Sequence, residues 1–449
     1  MKSSSSTNFL LQVAMNNQVV YFALAGVLRL LLMNSDYQSV IADRVEVSTA
    51  LNSWKRVTEG VHLYSIGVDP YSGDLFHETP LGLIVFGFIQ KHFSRYALWI
   101  LFIMTDLTTA LFLGITASYY IKESIARDKE EKACRNSKSQ NSEEKSSSIT
   151  SPSSSSIFYV SAAYLFNPYV VINCIGLTTT VFTNFLISVT LLSMIKRSVW
   201  LFCFNIALLT LQGLYPVCLI VPAVIYTIKN SKVNETHQEV VKILGIFFTF
   251  VITLFTISYY IMGSFSFVKS TLGFILFVPD LRPNIGLYWY FFTEMFEHFR
   301  SLFIASFQIN VGLLFIVPLA LRLRKDPMLL AFSYLAIDAI FKSYPCIGDV
   351  GFYLSLLPLW RHLFRHMQQG FIVGCFILFC TVFAPTVWHQ WIYSRSANAN
   401  FYFGVTLAFA IAQIFLLTDI LFANVKREFA LRHGVPNQVN GSKAKLLLE

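Results

Sequence analysis

The stretch from Leu276 to Phe299, LFVPDLRPNIGLYWYFFTEMFEHF, sets Asp280, Arg282, Glu294, Glu297 and His298 among eight aromatic residues in an otherwise apolar chain. Carboxylates beside an imidazole can hold a metal or move a proton. Glu294, Glu297 and His298 stand at i, i+3 and i+4, a spacing that would point three ligands one way from a helix. Against this, Trp289, Phe292, Met295, Phe296 and Phe299 recur on roughly the opposite side, which fits a helix lying at a membrane surface with its charges in water. The opening VPDLRPN, with two prolines and a potential Asp280–Arg282 contact, reads as a shaped turn feeding a helix at Asn284. No nucleophile stands beside a base here, so recognition or docking is the expected role.

Other residues invite the same question. The polar segment 35–78 carries acids, among them Asp43, Glu46, Asp69 and Glu78, of the kind a membrane glycosyltransferase uses to deprotonate an acceptor, although it has no D-x-D pair. Arg29, Asp106, Asp338 and Asp419 fall inside apolar runs, where a charge is costly and is either paired or part of a transport path. The seven cysteines form no C-x-x-C pair, and most sit in apolar segments as small hydrophobes. No disulfide framework, metal site or cofactor motif is expected, and no P-loop or visible inverted repeat supports a transporter.

These residues must be positioned by membrane helices. Of 449 residues 55% are hydrophobic and only 13% charged, with 43 Phe, a composition that excludes an ordinary soluble enzyme. The first apolar run is expected to stay as an uncleaved anchor, because no convincing cleavage site follows it. Apolar runs near 18–34, 96–121, 157–175, 181–195, 198–213, 214–228, 243–262, 301–321, 327–341, 350–363, 370–388 and 401–422 predict about twelve transmembrane helices in an all-α polytopic protein. With both termini cytosolic, the inside segments hold 23 of the 34 Lys and Arg residues, so the net charge of +9 reads as a topology signal rather than a nucleic-acid surface. Residues 1–449 then form a single transmembrane domain. Within it lie a lumenal loop over 35–95 whose segment 77–93 is a re-entrant helix, a disordered Ser-rich cytosolic loop over 122–156, a lumenal aromatic interfacial helix within 263–300, and a cytosolic tail over 423–449.

Four long segments carry a resemblance, in order along the chain: RVEVSTALNSWKRVTEGVHLYSIGVDPYSGDLFHETPL (44–81), FVPDLRPNIGLYWYFFTEMFEHF (277–299), FKSYPCIGDVGFY (341–353) and WIYSRSANANFYF (391–403). They resemble the PIG-U family, multispanning subunits of the glycosylphosphatidylinositol (GPI) transamidase of the endoplasmic reticulum. The resemblance implies a non-catalytic subunit that binds the GPI lipid and presents it for attachment to the C-terminus of precursor proteins. It implies partners of the PIG-K (catalytic), PIG-T, PIG-S and Gaa types, contact with membrane phospholipid, and no role with nucleic acid.

The family is similar in fold to the GT-C mannosyltransferases, and DPYSGDLFHETPL and LFNPYVVIN echo them. Where those enzymes follow the N-P helix with Arg-Gly and an acid, this chain reads CIGLTTTVFTN (174–184). A transferase scaffold without transfer chemistry is therefore implied. The alternative is a mannosyltransferase of GPI assembly using a dolichol-phosphate-mannose donor. For GPI contact the resemblance points to Asn398 and Asn400, with Tyr393, Phe274, Asp280, Asn284, Trp289 and His298 along the same lumenal rim. An amide donates and accepts, which suits a sugar hydroxyl or a phosphate, although asparagine is also a preferred N-cap for a helix starting near Phe401.

Overall fold

A chain in hydrocarbon satisfies its backbone N–H and C=O groups only as helices or closed barrels, and the apolar runs of this sequence are helical. The computed structural model describes residues 3–138, 155–229, 236–433, 438–439 and 442–443. In chain order the helices are α1 Ser3–Met33, α2 Tyr37–Ala42, α3 Trp54–Ser65, α4 Pro80–His92, α5 Arg95–Lys138, α6 Ser155–Leu165, α7 Pro168–Ile175, α8 Thr180–Ile195, α9 Val199–Gly213, α10 Ile220–Ile228 and α11 Thr236–Met262. There follow α12 Ser266–Val268, α13 Phe274–Phe277, α14 Tyr288–Thr293, α15 Glu297–Ile309, α16 Ile316–Leu323, α17 Pro327–Phe341, α18 Ile347–Ser355, α19 Gly370–Ile392 and α20 Ala399–His433. A two-residue strand pair, Gln438–Val439 with Ser442–Lys443, is the only one among the described residues.

Among the described residues, five helical segments are long and apolar enough to cross a membrane: Arg95–Glu130, Thr236–Met262, Glu297–Leu323, Gly370–Ile392 and Ala399–Arg432. A sixth is counted if the pair Phe158–Leu165 and Pro168–Ile175, bent by 51°, is one span. The bend has a local cause. Pro168 occupies the first turn of α7, and the Asn167 side chain accepts from the Tyr169 backbone N–H at 3.0 Å, so one helix stops and another is capped. Six further apolar helices are shorter. Along Thr236–Met262, Glu297–Leu323 and Gly370–Ile392 most residues stay unburied within the chain, so their apolar faces are left for lipid or neighbouring subunits.

The chain divides into two units, Met1–Thr116 with Val160–Leu356, and Ala117–Tyr159 with Leu357–Glu449. In the first, the segment after α1 folds back on the helices. Trp54 of α3 meets Phe86 of α4 and Phe102 of α5 edge-on at 5.4 and 5.3 Å, within a core that includes Met33, Val171 and Cys174. Arg29 and Asp106 form a buried ion pair at 2.6 Å, and Asp106 also accepts from the Tyr164 hydroxyl at 2.8 Å. Arg29 donates to the Leu165 carbonyl at 3.0 Å, so these charges tie α1 and α5 to the end of α6. A Cβ on Gly348 would lie 2.4 Å from Asn173 Oδ1, and one on Gly351 2.9 Å from Val170. Both glycines permit the close approach of α18 to α7.

The second unit is built from the end of α5, a 3₁₀ segment over Leu357–His366, α19 and α20. Trp360 donates to the Tyr120 hydroxyl at 2.9 Å, and Arg427 pairs with Asp128. Asp419 accepts the backbone N–H groups of Gln368 and Gln369 at 3.0 and 2.9 Å, satisfying donors at the start of α19.

Several expectations are redrawn. The aromatic segment over 263–300 is several pieces rather than one helix: Val278 adopts a left-handed conformation (φ 48°) that ends α13, and the chain then runs non-helically before α14. Phe296, in an extended conformation, separates α14 from α15. Glu294 therefore lies outside the helix that carries Glu297 and His298, and the three-ligand spacing does not form. Segment 350–363 is interrupted too, because α18 ends at Ser355 and a 3₁₀ segment kinked at Trp360 follows. Residues 122–138 continue α5, where Lys, Glu, Arg and Ala are good helix formers, and 139–154 lie outside the described residues. The start of the tail, 423–433, is likewise helical, as the end of α20.

Candidate functional site

The segment DPYSGDLFHETPL is held by its own side chains. Asp69 Oδ1 accepts from the Tyr71 N–H at 2.9 Å, the Tyr71 hydroxyl donates to the Glu78 carbonyl at 2.8 Å, and Thr79 caps α4 by accepting from the Gly82 N–H at 3.0 Å. His77 bonds the Ser270 carbonyl at 2.9 Å and stacks on Phe274 at 3.6 Å between centroids, while burial lowers its pKa. These contacts deliver Glu78 into a cavity of about 100 Å³, whose lining includes Glu78, Thr179, Gln212, Asp338, Lys342 and Asp349. Glu78 is 5% exposed, and burial pushes its carboxyl up to about 7, although Thr179 and Gln212 pull it back. Its Oε1 has no hydrogen-bond partner.

Across the cavity Lys342 pairs with Asp349 at 2.5 Å. Burial opposes the lysine's charge, but Asp349 outweighs it and holds the pKa above its ordinary value. Asp349 Oδ2 also accepts from the Cys346 N–H at 2.9 Å and lies 3.2 Å from its sulfur. Burial first, and then Asp349, push the Cys346 thiol up to about 12, so it is not a nucleophile at neutral pH. Asp338 accepts from the Cys218 thiol at 3.5 Å.

Phe274, Asp280 and Asn284 gather near Tyr344. Phe274 stacks on the Tyr344 ring at 4.9 Å, and the Asp280 N–H donates to the Tyr344 hydroxyl at 3.3 Å. Asn284 Oδ1 accepts from the Gly286 N–H at 2.7 Å, a turn that needs glycine because a Cβ there would lie 2.6 Å from Pro345. Asp280 pairs with Arg56 at 3.4 Å, closer than its 3.7 Å contact to Arg282, beside a hollow of about 210 Å³. Burial lowers the Arg56 pKa, while Asp280 works to raise it. Trp289 is buried against Tyr290, and His298 is exposed on the first turn of α15, outside this hollow.

Asn398 and Asn400 belong to the second unit. They line an open hollow of about 590 Å³ at the start of α20 with Phe379, Phe383, Phe401 and Gly404. Asn398 Oδ1 accepts from the N–H groups of Asn400 and Phe401 at 3.1 and 3.4 Å, so it does cap α20. Tyr393 is exposed at the end of α19 beside His389 and does not line this hollow.

The acids considered for transfer chemistry have structural partners: Asp43 pairs with Lys55, Glu46 with Arg44 at 2.9 Å, and Asp69 with its own turn. Sequence reasoning missed the grouping of Glu78 with Asp338, Lys342 and Asp349. The local sign was present in H-E-T-P, where Thr-Pro opens a helix and leaves the preceding acid at its mouth.

The chain matches the model of the family described as GPI transamidase subunit PIG-U over residues 23–409. It is 36% identical over 442 residues to the GPI-anchor transamidase component PIGU of Homo sapiens, covering 96% of this chain and 99% of that protein. The Mus musculus protein of the same name is 38% identical over 435 residues, covering 95% and 98% of the two chains. The GPI transamidase component GAB1 of Saccharomyces cerevisiae is 28% identical over 429 residues, with 94% and 98% covered. With its apolar helices and this alignment over nearly its full length, the chain is a multi-pass membrane protein that belongs to the PIG-U family of GPI transamidase subunits.

Proposed function

We propose that this chain is a non-catalytic subunit of GPI transamidase in the endoplasmic reticulum membrane, with both termini cytosolic, that binds the GPI lipid and presents it for attachment to precursor proteins. The observation that carries the reading is the hollow at the start of α20, where two asparagine amides stand over phenylalanine side chains. That combination suits a molecule with a polar head and apolar chains. In the first unit, Asp280, Asn284 and Phe274 around Tyr344 form a polar-aromatic group that suits lipid contact by the same chemistry. The protonated Cys346 thiol and the structurally engaged acids favour placing the catalytic cysteine in a PIG-K subunit, with PIG-T, PIG-S and a Gaa-type protein completing the complex and phospholipid covering the apolar faces.

In this reading about twelve crossings make a GT-C-like scaffold, the five long spans and the bent pair among them, with 350–363 crossing as an interrupted segment and 263–300 staying lumenal, where Arg56 meets Asp280 and His77 meets the Ser270 carbonyl. The helix α4 then dips into the membrane from the lumen. The test is a cell line lacking the chain. Complete GPI lipids should accumulate, and the Asn398→Ala, Asn400→Ala double variant should assemble with the other subunits yet restore little of a GPI-anchored reporter. Accumulation of a mannose-deficient intermediate overturns the proposal in favour of transferase activity.

A further inference from the structure

One end of the second unit gathers cations that no described acid neutralises. The 3₁₀ segment over Leu357–His366 is amphipathic: Leu359, Trp360 and Leu363 are buried, while Arg361, Phe364 and Arg365 are exposed. The Arg361 guanidinium lies over the Tyr159 ring at 5.5 Å, and Arg365 Nε donates to His366 Nε2 at 3.1 Å. From α20, Lys426 Nζ stands over the Phe422 ring at 4.6 Å. Burial first, and then Arg365, Arg427 and Lys426, lower the His366 pKa, so the imidazole is ringed by cations and stays neutral. Arg427 is engaged by Asp128 and Glu428 by Arg432, whereas Arg361, Arg365 and Lys426 form no ion pair with a described acid.

The depth of this cluster is set by two spans. Asp419 of α20 accepts the Gln368 and Gln369 N–H groups at 3.0 and 2.9 Å, which fixes the level at which α19 begins, and Lys426 stands two turns further along α20, about 10 Å on. In the first turn of α19, Phe371 and Ile372 are 85% and 70% exposed, and at the start of a span they face hydrocarbon. Unneutralised cations directly above exposed apolar residues match the boundary between acyl chains and phosphate groups. A soluble anion needs no such apolar fringe, and an acidic protein segment leaves Phe371 and Ile372 unaccounted for.

We propose that Arg361, Arg365 and Lys426 hold the headgroup phosphate of an anionic phospholipid whose acyl chains lie along Phe364, Phe371 and Ile372. The guanidinium groups supply forked N–H pairs and the lysine a point charge, and His366, as the acceptor for Arg365 Nε, turns that fork's other donors to the phosphate. A zwitterionic lipid brings a positive group with its phosphate, so the excess of cations selects a lipid of net negative charge. The patch lies at the far end of α20 from Asn398 and Asn400, so it is a lipid site additional to the glycolipid hollow.

The experiment is photocrosslinking of the purified complete complex in phosphatidylcholine nanodiscs that contain a small fraction of phosphatidylserine with a photoreactive group near its headgroup, read by mass spectrometry of the labelled peptides. Label should concentrate in 357–369 and 422–432, and unlabelled phosphatidylserine should displace it at least about tenfold more effectively than phosphatidylethanolamine, which is zwitterionic. Each cation near an anionic headgroup is worth about fivefold, so the triple variant Arg361→Gln, Arg365→Gln, Lys426→Gln should weaken capture at least about tenfold. Equal displacement by the two lipids, or unchanged labelling in the triple variant, overturns the proposal. Loss of another subunit from the variant complex while the lipid is still captured makes the patch a protein-docking surface and overturns it too. If the variant does not assemble, the comparison of the two competitors on the wild-type complex decides alone.

Discussion

Asn398 does two things that one substitution can separate. Its Oδ1 caps α20 by accepting from the N–H groups of Asn400 and Phe401 at 3.1 and 3.4 Å, and its residue lines the apolar hollow beside α19. Aspartate caps a helix about as well as asparagine and places a favourable charge at the N-terminus, so Asn398→Asp should change stability by less than about 0.5 kcal/mol. Alanine removes the cap and costs about 1 kcal/mol. What aspartate lacks is the NH₂ donor. Losing one hydrogen bond to a headgroup costs about 1 kcal/mol, and a new negative charge about 5 Å from a phosphate costs about 1 kcal/mol more even in water. Together these weaken lipid binding about thirtyfold while the helix stays intact. The assay is complementation of cells lacking the chain, at limiting expression, reading a GPI-anchored surface reporter and co-precipitation of the other subunits side by side. Asn398→Asp should assemble like wild type and display far less reporter. Full display by Asn398→Asp, with loss only in Asn398→Ala, refutes the recognition role and leaves a cap.

Three further outcomes follow from buried groups. Asp106→Asn leaves the Arg29 guanidinium buried without its counter-charge and should cost about 3–5 kcal/mol, read as loss of folded chain in detergent, whereas Arg29→Leu with Asp106→Leu should recover much of it. Glu78 binds its proton more tightly folded than unfolded, so its contribution to stability is fully present below about 4.5 and is lost as pH rises through about 7. The rise from 4.5 to about 7 corresponds to about 3 kcal/mol: wild type should lose thermal stability between pH 5 and pH 8 more steeply than Glu78→Gln, and parallel profiles would contradict this. Cys346, pushed from 9.0 up to about 12, should react with iodoacetamide at pH 7.5 on the order of a thousandfold more slowly than an ordinary thiol, and rapid labelling found by mass spectrometry would show the thiolate to be accessible.

Features that act within a turn or two of chain are legible in the order of residues. The apolar composition alone requires membrane helices, because hydrocarbon offers the backbone no other partner. Asn167-Pro168 and Thr79-Pro80 mark helix starts through a side-chain oxygen and a fixed φ, and Asn398 caps α20 as its type suggests. Reading Glu294, Glu297 and His298 as one helical face fails because periodicity does not register the extended Phe296 between them.

What only tertiary structure decided are the pairings and their electrostatics. Proximity in the chain matches Asp280 to Arg282, yet its closer partner is Arg56, 224 residues away, because α3 folds back over the segment. Arg29 and Asp106, 77 residues apart, become a structural pair rather than a transport relay only once α1 lies against α5. Glu78 and Asp338 look like one loop acid and one intramembrane acid in the sequence; packing brings both to a single cavity. Desolvation and ion pairing depend on which surfaces meet across hundreds of residues, and local propensity carries no record of that.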